Sequence, residues 1–153
     1  MACRTMPLHG GTFASDCGER DKLIVSRDRG SPRKHIADNA NGKSVFHIQL
    51  DGKVFPGDAC DFLLLCDSAE HIAYFIELKG KDSKKALDQL GKTADKLKED
   101  LKNYAFRFRA VTSGTPHAMD NQSEKDKLWR KWASARPLKE FLVIKTGRLK
   151  EHI

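Results

Sequence analysis

The sequence has no long hydrophobic run. Its 153 residues are 39% hydrophobic, yet no apolar stretch approaches the roughly eighteen residues that a membrane-spanning helix needs. The N-terminal region also has no apolar segment of the kind found in secretory signals. We therefore expect a cytoplasmic protein with no membrane partner.

Cysteine is scarce, and its four positions show no CxxC spacing. Cys3, His9 and Cys17 are too few and too irregularly spaced for a tetrahedral zinc site, which the sequence therefore disfavours. Cys60 and Cys66 flank an apolar run, where reduced thiols behave as small apolar side chains.

Acidic residues are outnumbered by basic ones. The chain has 28 Lys and Arg against 21 Asp and Glu, a formal charge of +7 and a pI near 9.3. A basic balance favours polyanionic partners, although a merely solvated basic surface is the alternative. The span from Asp61 to Glu77 contains acids but no Lys or Arg, whereas basic residues are twice as frequent as acidic ones over 78–110. Negative charge is thus concentrated within a basic surrounding.

Two apolar runs, Phe62 to Cys66 and Ile72 to Leu78, flank a short polar turn and predict a hairpin of buried strands. A turn centred on Ser68 to Glu70 sets the register that puts Asp61 opposite Glu77. Cross-strand Cβ atoms lie roughly 5 Å apart, so both carboxylates can reach one divalent cation.

Lys79 follows on the same strand. Because side chains alternate between the two faces of a strand, Lys79 shares the face of Glu77, about 6.6 Å further along. An acid pair with an adjacent ammonium group is the arrangement that metal-assisted phosphodiester hydrolysis needs. The carboxylates hold Mg²⁺ or Mn²⁺, which lowers the pKa of its bound water, and Lys79 orients that water or stabilises charge at the phosphorus.

Asp61, followed sixteen residues later by Glu77-Leu78-Lys79 on an apolar strand, resembles the PD-(D/E)XK nuclease superfamily, with its restriction-endonuclease-like and Holliday-junction-resolvase-like branches. The resemblance covers about residues 45–112. It implies a three-layer α/β fold in which helices flank a central mixed β-sheet. It also implies Asp61, Glu77 and the Leu78 backbone carbonyl as metal ligands, and Lys79 as a catalytic residue.

The first half of the motif departs from the family pattern. Cys60 stands where the family has proline, and Pro56-Gly57-Asp58 lies just upstream. Asp58 is therefore retained as an alternative or additional metal ligand.

After Gly80 the apolar period changes to 3.6 residues and predicts a helix that Asp82 or Ser83 caps. Its apolar stripe is Leu87, Leu90, Ala94, Leu97, Leu101 and Tyr104. Gln89 is similar to a glutamine that many superfamily members carry near the metal, which implies a catalytic role, and an ordinary surface glutamine is the alternative.

Basic side chains are predicted to contact nucleic-acid phosphates in two places. Such contacts position the nucleic-acid backbone without reading its sequence. The two places are the helix flank with Lys85, Lys92 and Lys96, and the basic loop 27–35 with Arg33 and Lys34. For the loop, an exposed linker is the alternative.

The rest of the chain completes one predicted sheet. A hairpin is expected at 45–55 and strands at 105–112 and 141–144, followed by a basic tail over 145–150. Ser123-x-x-Asp126 predicts the cap of a second helix, whose Trp129 and Trp132 are interpreted as core, with base stacking or a dimer contact as alternatives. Residues 1–22 are expected to be a loosely ordered arm, and 23–153 a single nuclease-like domain.

The sequence thus predicts a metal-dependent nuclease, with Mg²⁺ or Mn²⁺ as cofactor, DNA favoured over RNA and internal cleavage favoured over cleavage from ends. A homodimer is left open. The rival hypotheses are a catalytically inactive nucleic-acid-binding module and a scaffold subunit with the same fold.

Overall fold

The structure, a computed structural model, describes residues 3–78, 83–113 and 121–153. Within these ranges the strands are β1 (Thr5–Leu8), β2 (Gly11–Ala14), β3 (Leu23–Arg27), β4 (Lys34–Asp38), β5 (Ser44–Gln49), β6 (Phe62–Asp67), β7 (His71–Leu78), β8 (Ala105–Thr112), β9 (Leu142–Thr146) and β10 (Arg148–His152). The helices are α1 (Ser83–Leu97), α2 (Gln122–Trp132) and α3 (Leu138–Phe141). None of these three helices has both the length and the apolar character needed to cross a membrane.

A five-stranded mixed sheet forms the centre of the molecule, in the order β5-β6-β7-β8-β9. Neighbours among β5, β6 and β7 are antiparallel, while β8 runs parallel to β7 and β9 parallel to β8. Parallel strands need a crossover connection, and α1 lies in the segment between β7 and β8. The predicted α/β class and the mixed sheet are confirmed.

The register of the β6–β7 hairpin is the predicted one. Cys66 pairs with Ile72 and Phe62 with Ile76, and the turn closes with a 3.0 Å hydrogen bond from the Ser68 N–H to the Glu70 carbonyl. Every residue from Phe62 to Cys66 is buried, because both faces of the sheet are covered.

Helix α1 covers one face of this sheet through the predicted apolar stripe, of which Leu87, Leu90, Ala94 and Leu97 are buried. The helix ends at Leu97 instead of continuing to Tyr104. A further turn then begins with a 3.0 Å hydrogen bond from the Leu101 N–H to the Leu97 carbonyl, and Leu101 is fully buried. The apolar stripe therefore extends beyond the C-terminal end of the helix.

The opposite face is covered by a second sheet, in the order β10-β4-β3. Its inward residues Ile24, Ala37 and Leu149 pack with Leu64 and Tyr74 of the central sheet. Among the residues seen in the structure, the apolar helix side chains pack only on the first face. The expectation of helices on both faces is therefore wrong for this part of the chain, because short strands with alternating burial occupy that position.

Two segments that were expected to be irregular are strands of this second sheet. The basic loop 27–35 is only partly a loop, because its last residues begin β4, which pairs antiparallel with β3. The basic tail 145–150 contains the end of β9 and most of β10, which runs parallel to β4. In both places the charged side chains alternate with buried ones, and the charges obscured a strand pattern.

The N-terminal arm is also ordered. Strands β1 and β2 pair as a hairpin whose two turn residues, His9 and Gly10, both have positive φ values, 47° and 81°. This is the backbone that a two-residue hairpin turn requires. Leu8 is fully buried in the main core, so the expectation of a loosely ordered segment over 1–22 is wrong for this hairpin.

Two further elements differ from expectation in detail. Residues 51–55 form a compact turn in which the Gly52 N–H bonds the Phe55 carbonyl at 2.7 Å, rather than a hairpin with a second strand. Helix α2 begins at Gln122, so Ser123 lies inside it, and the N-cap residue Asn121 has a left-handed conformation and makes no side-chain cap hydrogen bond. Trp132 stacks on Phe106, whereas Trp129 is 37% exposed.

A buried ionic cluster joins the two sheets. Glu151 on β10 accepts hydrogen bonds from Arg109 Nε on β8 at 2.8 Å and from His35 Nε2 on β4 at 2.7 Å. The Arg109 side chain is only 3% exposed, and its Nη1 and Nη2 groups donate to one backbone carbonyl of β8 and two of α3. Burial alone raises the pKa of Glu151, but the hydrogen bonds from His35 and Arg109 outweigh burial and hold that pKa below its ordinary value.

We expect Glu151→Gln to lower the free energy of unfolding at neutral pH by on the order of 3 kcal/mol, because it leaves the buried Arg109 guanidinium without its counter-charge. The lowered pKa means that the ionised carboxylate stabilises the folded state above its ordinary pKa. This contribution is lost as the pH falls through the lower pKa of the folded state. Denaturant unfolding at several pH values checks both expectations.

The control for this substitution is Glu99→Gln, which changes an exposed carboxylate. If both variants unfold alike at neutral pH, the cluster does not contribute to holding the sheets together.

Candidate active site

The two acids of the predicted pair lie side by side at one end of the β6–β7 hairpin. The Asp61 N–H donates to Glu77 Oε1 at 3.1 Å, and the Leu78 N–H donates to Asp61 Oδ2 at 2.8 Å. These two hydrogen bonds cross between the strand ends in opposite directions. They bring the Asp61 carboxylate onto the peptide group that follows Glu77, so both carboxylates and the Leu78 backbone occupy one small region.

Glu77 is fully buried, whereas Asp61 is partly exposed. On β7, Ile76 and Leu78 pack against the second sheet, so Glu77 belongs to the opposite face, which it shares with Phe75 and which α1 covers. Its neighbour on β8 is Ala110, a small side chain. A charged group in such an apolar sheet is costly unless it is paired or binds an ion, and the Glu77 carboxylate accepts the Asp61 N–H here.

Helix α1 anchors the segment that carries Asp61. The Thr93 hydroxyl donates to the Gln89 carbonyl at 2.7 Å, and its oxygen accepts the Cys60 N–H at 2.7 Å. Thr93 is fully buried, so this contact is made away from solvent. The helix thereby fixes the backbone directly before Asp61, a role that the apolar pattern of the helix did not reveal.

Cys60, which stands where the family pattern has proline, is fully buried beside the acid pair. Burial raises the pKa of the Cys60 thiol well above its ordinary value, and the negative charges of Glu77 and Asp61 raise it further. The thiol therefore stays protonated and packs as a small apolar group, as the sequence predicts.

Hard oxygen atoms make up the donor set of this region, which is the chemistry that Mg²⁺ and Mn²⁺ prefer. Within the ranges that the structure describes, no group of three or more His, Cys, Asp or Glu side chains lies at metal-binding spacing. Two carboxylates are nevertheless enough, because Mg²⁺ is commonly held by one or two carboxylates together with waters and substrate phosphates. The residues present therefore fit such an ion.

Gln89 supplies a further polar atom on α1. Its Oε1 is buried and has no hydrogen-bond partner among the residues that the structure describes. Gln89 lies one helical turn before Thr93, which contacts the backbone next to Asp61. A buried acceptor without a partner is costly in a folded protein, and a bound water or hydrated ion would satisfy it.

Asp58 lies apart from the pair. Its side chain is 60% exposed and its carboxylate is 3.5 Å from Lys92 Nζ. The structure thus does not group Asp58 with Asp61 and Glu77 as a third ligand. The Asp58 backbone, in a left-handed conformation with φ 56°, instead receives a 2.6 Å hydrogen bond from Lys96 Nζ.

The basic residues predicted to bind phosphates have different surroundings. Lys92 pairs with Asp58 and Asp88, and Lys96 is held by the Asp58 carbonyl. Lys85 is exposed on the side of α1 that faces α2. Lys79 lies outside the described residues.

The basic loop contributes other residues than the predicted ones. Arg33 is 3.9 Å from the Asp28 carboxylate, and Lys34 begins β4. Arg27 and Arg29, by contrast, line a cleft of about 380 Å³ together with Asp61. The only sequence signal for these two arginines is that they belong to the same basic run.

A second cluster, Ser26, His47 and Asp16, has the connectivity of a hydrolase triad. Ser26 Oγ is 2.7 Å from His47 Nε2, and His47 Nδ1 contacts the Asp16 carboxylate. Ser26 is only 1% exposed, so a substrate cannot reach its hydroxyl. The cluster joins β3 to β5 and is interpreted as structural.

Thr93→Val tests the anchor between α1 and the Asp61 segment. We expect it to lower the free energy of unfolding by about 1–3 kcal/mol, because the buried Cys60 N–H loses its acceptor. Thr93→Ser keeps the hydroxyl and should lower the free energy of unfolding clearly less. Denaturant unfolding of the two variants is the measurement, and equal losses would assign the effect to the methyl group instead.

Comparison with models of known protein families, with curated proteins and with solved structures finds no match for this chain. The role of the acid pair is therefore inferred from its own geometry and chemistry.

Proposed function

We propose that this protein is a metal-dependent nuclease that hydrolyses phosphodiester bonds within DNA. The observation that carries the proposal is the pair of hydrogen bonds that crosses between Asp61 and the Glu77-Leu78 strand end. They bring two carboxylates together at the end of a buried hairpin, next to the Leu78 N–H. The basic charge of the chain favours a polyanionic substrate.

The proposal includes a restriction-endonuclease-like assignment of the fold. Its support is the strand arrangement, in which an antiparallel β5-β6-β7 unit continues through α1 into the parallel strand β8. The second sheet on the far face is a departure from helices on both sides.

In this proposal Asp61, Glu77 and the Leu78 carbonyl oxygen hold Mg²⁺ or Mn²⁺. When bound, the ion supplies an activated water and neutralises charge on the phosphate. The other roles belong to the chain itself. Lys79 offers an ammonium group to the phosphate, where it stabilises the negative charge that develops at the phosphorus. Gln89 Oε1 accepts a hydrogen bond from a water at the site and so helps to orient it.

An inactive nucleic-acid-binding module is the second candidate function. The observation in its favour is that, among the described residues, no group of three or more His, Cys, Asp or Glu side chains lies at metal-binding spacing. Such a module would bind nucleic acid through the same basic surfaces and would leave it intact. Activity measurements decide between the two functions.

We expect the wild-type protein to cleave nucleic acid with Mg²⁺ or Mn²⁺ and not with EDTA. Supercoiled, linear, branched and single-stranded substrates identify the preferred one. Asp61→Asn and Glu77→Gln should each lower the cleavage rate at least about 100-fold, because each removes a ligand charge. Binding to an uncleaved substrate and the melting temperature should change little.

The matched control for this pair is Glu99→Gln, which removes an exposed carboxylate. Wild-type rates in both site variants, or no metal-dependent cleavage of any substrate by the wild type, would favour the binding module.

Lys79→Ala separates the chemical step from metal binding. We expect a loss of roughly 100-fold or more in the single-turnover cleavage rate, because the ammonium group stabilises the transition state. The midpoint of a Mn²⁺ titration should change little, since both carboxylates remain. The control is Lys98→Ala, which removes an exposed lysine of the segment after α1. A shifted Mn²⁺ midpoint at an unchanged maximal rate would assign Lys79 to metal binding instead.

A further inference from the structure

A polar cleft opens beside Asp61 on the side of the second sheet. It encloses about 380 Å³ and is lined by Arg27, Asp28, Arg29, Gln49, Asp61 and Phe62. The cleft therefore places two arginines of the β3–β4 hairpin in the same cavity as one member of the acid pair.

The two arginines differ from the other basic residues near the site. Arg27 and Arg29 are exposed, and neither side chain forms a hydrogen bond or ion pair within the ranges that the structure describes. Lys92 and Lys96, in contrast, are engaged by Asp88 and by the Asp58 loop. A guanidinium group without a protein partner can bind phosphate through two parallel hydrogen bonds.

The hairpin connection holds these arginines in place. Arg27 ends β3 opposite Lys34, and Gly30 supplies the positive φ of 74° that the tight connection requires. Asp28, the other acid in the cleft, is 3.9 Å from Arg33, so its charge is offset from within the loop. The connection thus carries its own internal ion pair and presents Arg27 and Arg29 to the cleft.

We infer that this cleft binds a backbone phosphate of the nucleic-acid strand next to the bond that is cleaved, with Arg27 and Arg29 as its ligands. The inference rests on the proposed function, since it takes Asp61 as a metal ligand. The substrate then passes across the end of the β3–β4 hairpin. Lys92 and Lys96 of α1 fix the Asp58 loop and contribute less to binding.

Binding to a fluorescent DNA oligonucleotide in EDTA, at several salt concentrations, tests the inference without any cleavage. Each phosphate contact releases counterions, so losing two contacts reduces the slope of log affinity against log salt by on the order of 1.5. We expect Arg27→Gln with Arg29→Gln to show this reduction and to bind at least about tenfold more weakly at physiological salt. Lysine at both positions should restore most of the affinity.

Two control variants distinguish the effect of these two positions from the effect of a lower net charge. Arg148→Gln removes an exposed arginine from β10, at the other edge of the same sheet, and should leave the slope unchanged. Lys92→Gln with Lys96→Gln should reduce affinity less than the arginine pair does. An unchanged slope in the arginine variant, a larger loss in the lysine variant, or no DNA binding by the wild type overturns the inference.

The outcomes also separate this inference from the proposed function. If the arginine variant loses binding and the wild type never cleaves, phosphate binding in the cleft is supported and the nuclease function is rejected. If Asp61→Asn abolishes metal-dependent cleavage and the arginine variant binds DNA fully, the nuclease function is supported and phosphate binding in the cleft is rejected.

Discussion

The register of the β6–β7 hairpin is the constraint on which the candidate site depends. A shift by one residue would break the two hydrogen bonds that join Asp61 to the Glu77-Leu78 strand end. Because both strands are buried on both faces, an inside-outside pattern cannot fix this register. It is fixed at the two ends of the hairpin, by the crossing hydrogen bonds at Asp61 and by a polar cluster at the turn.

Asp67 is the centre of the cluster at the turn. Its carboxylate accepts hydrogen bonds from His71 at 2.6 Å and from Tyr104 at 3.1 Å, and it pairs with Arg4 of the N-terminal segment. Burial alone raises the pKa of Asp67, but the bonds from His71 and Arg4 hold it below its ordinary value. The N-terminal hairpin, which the sequence did not reveal, thus helps to secure the end of β6 that lies away from the acids.

The central elements could be predicted because their signals are local and long. Strands β6 and β7 are apolar runs joined by a short turn, and the stripe of α1 repeats over several turns. The hairpin at β1–β2 and strands β4 and β10 could not, because each buries only one or two side chains. Ala37 and Leu149 pack inward within short strands rich in charged residues, and β10 pairs with a strand that lies far away in the sequence.

The same distinction applies to the site. The pairing of Asp61 with Glu77 follows from one hairpin, so it can be predicted from the sequence. The contact from Thr93 to the Cys60 backbone and the opening of Arg27 and Arg29 toward Asp61 depend on how separate elements pack. The position of Lys92 and Lys96 on α1 was predicted correctly. Their contacts with the Asp58 loop were not predicted, because that loop folds back toward the helix.

The parallel pairing of β10 with β4 has a consequence for the order of folding. His35 and Glu151 lie 116 positions apart, so their contact closes a very long loop, whereas the β6–β7 hairpin closes a short one. Loop closure costs conformational entropy before the contact can repay it, and distant pairings therefore form slowly. We expect the acid pair to assemble while the second sheet is still incomplete. The second sheet, whose strand β3 ends at Arg27, is completed only when β10 docks on β4.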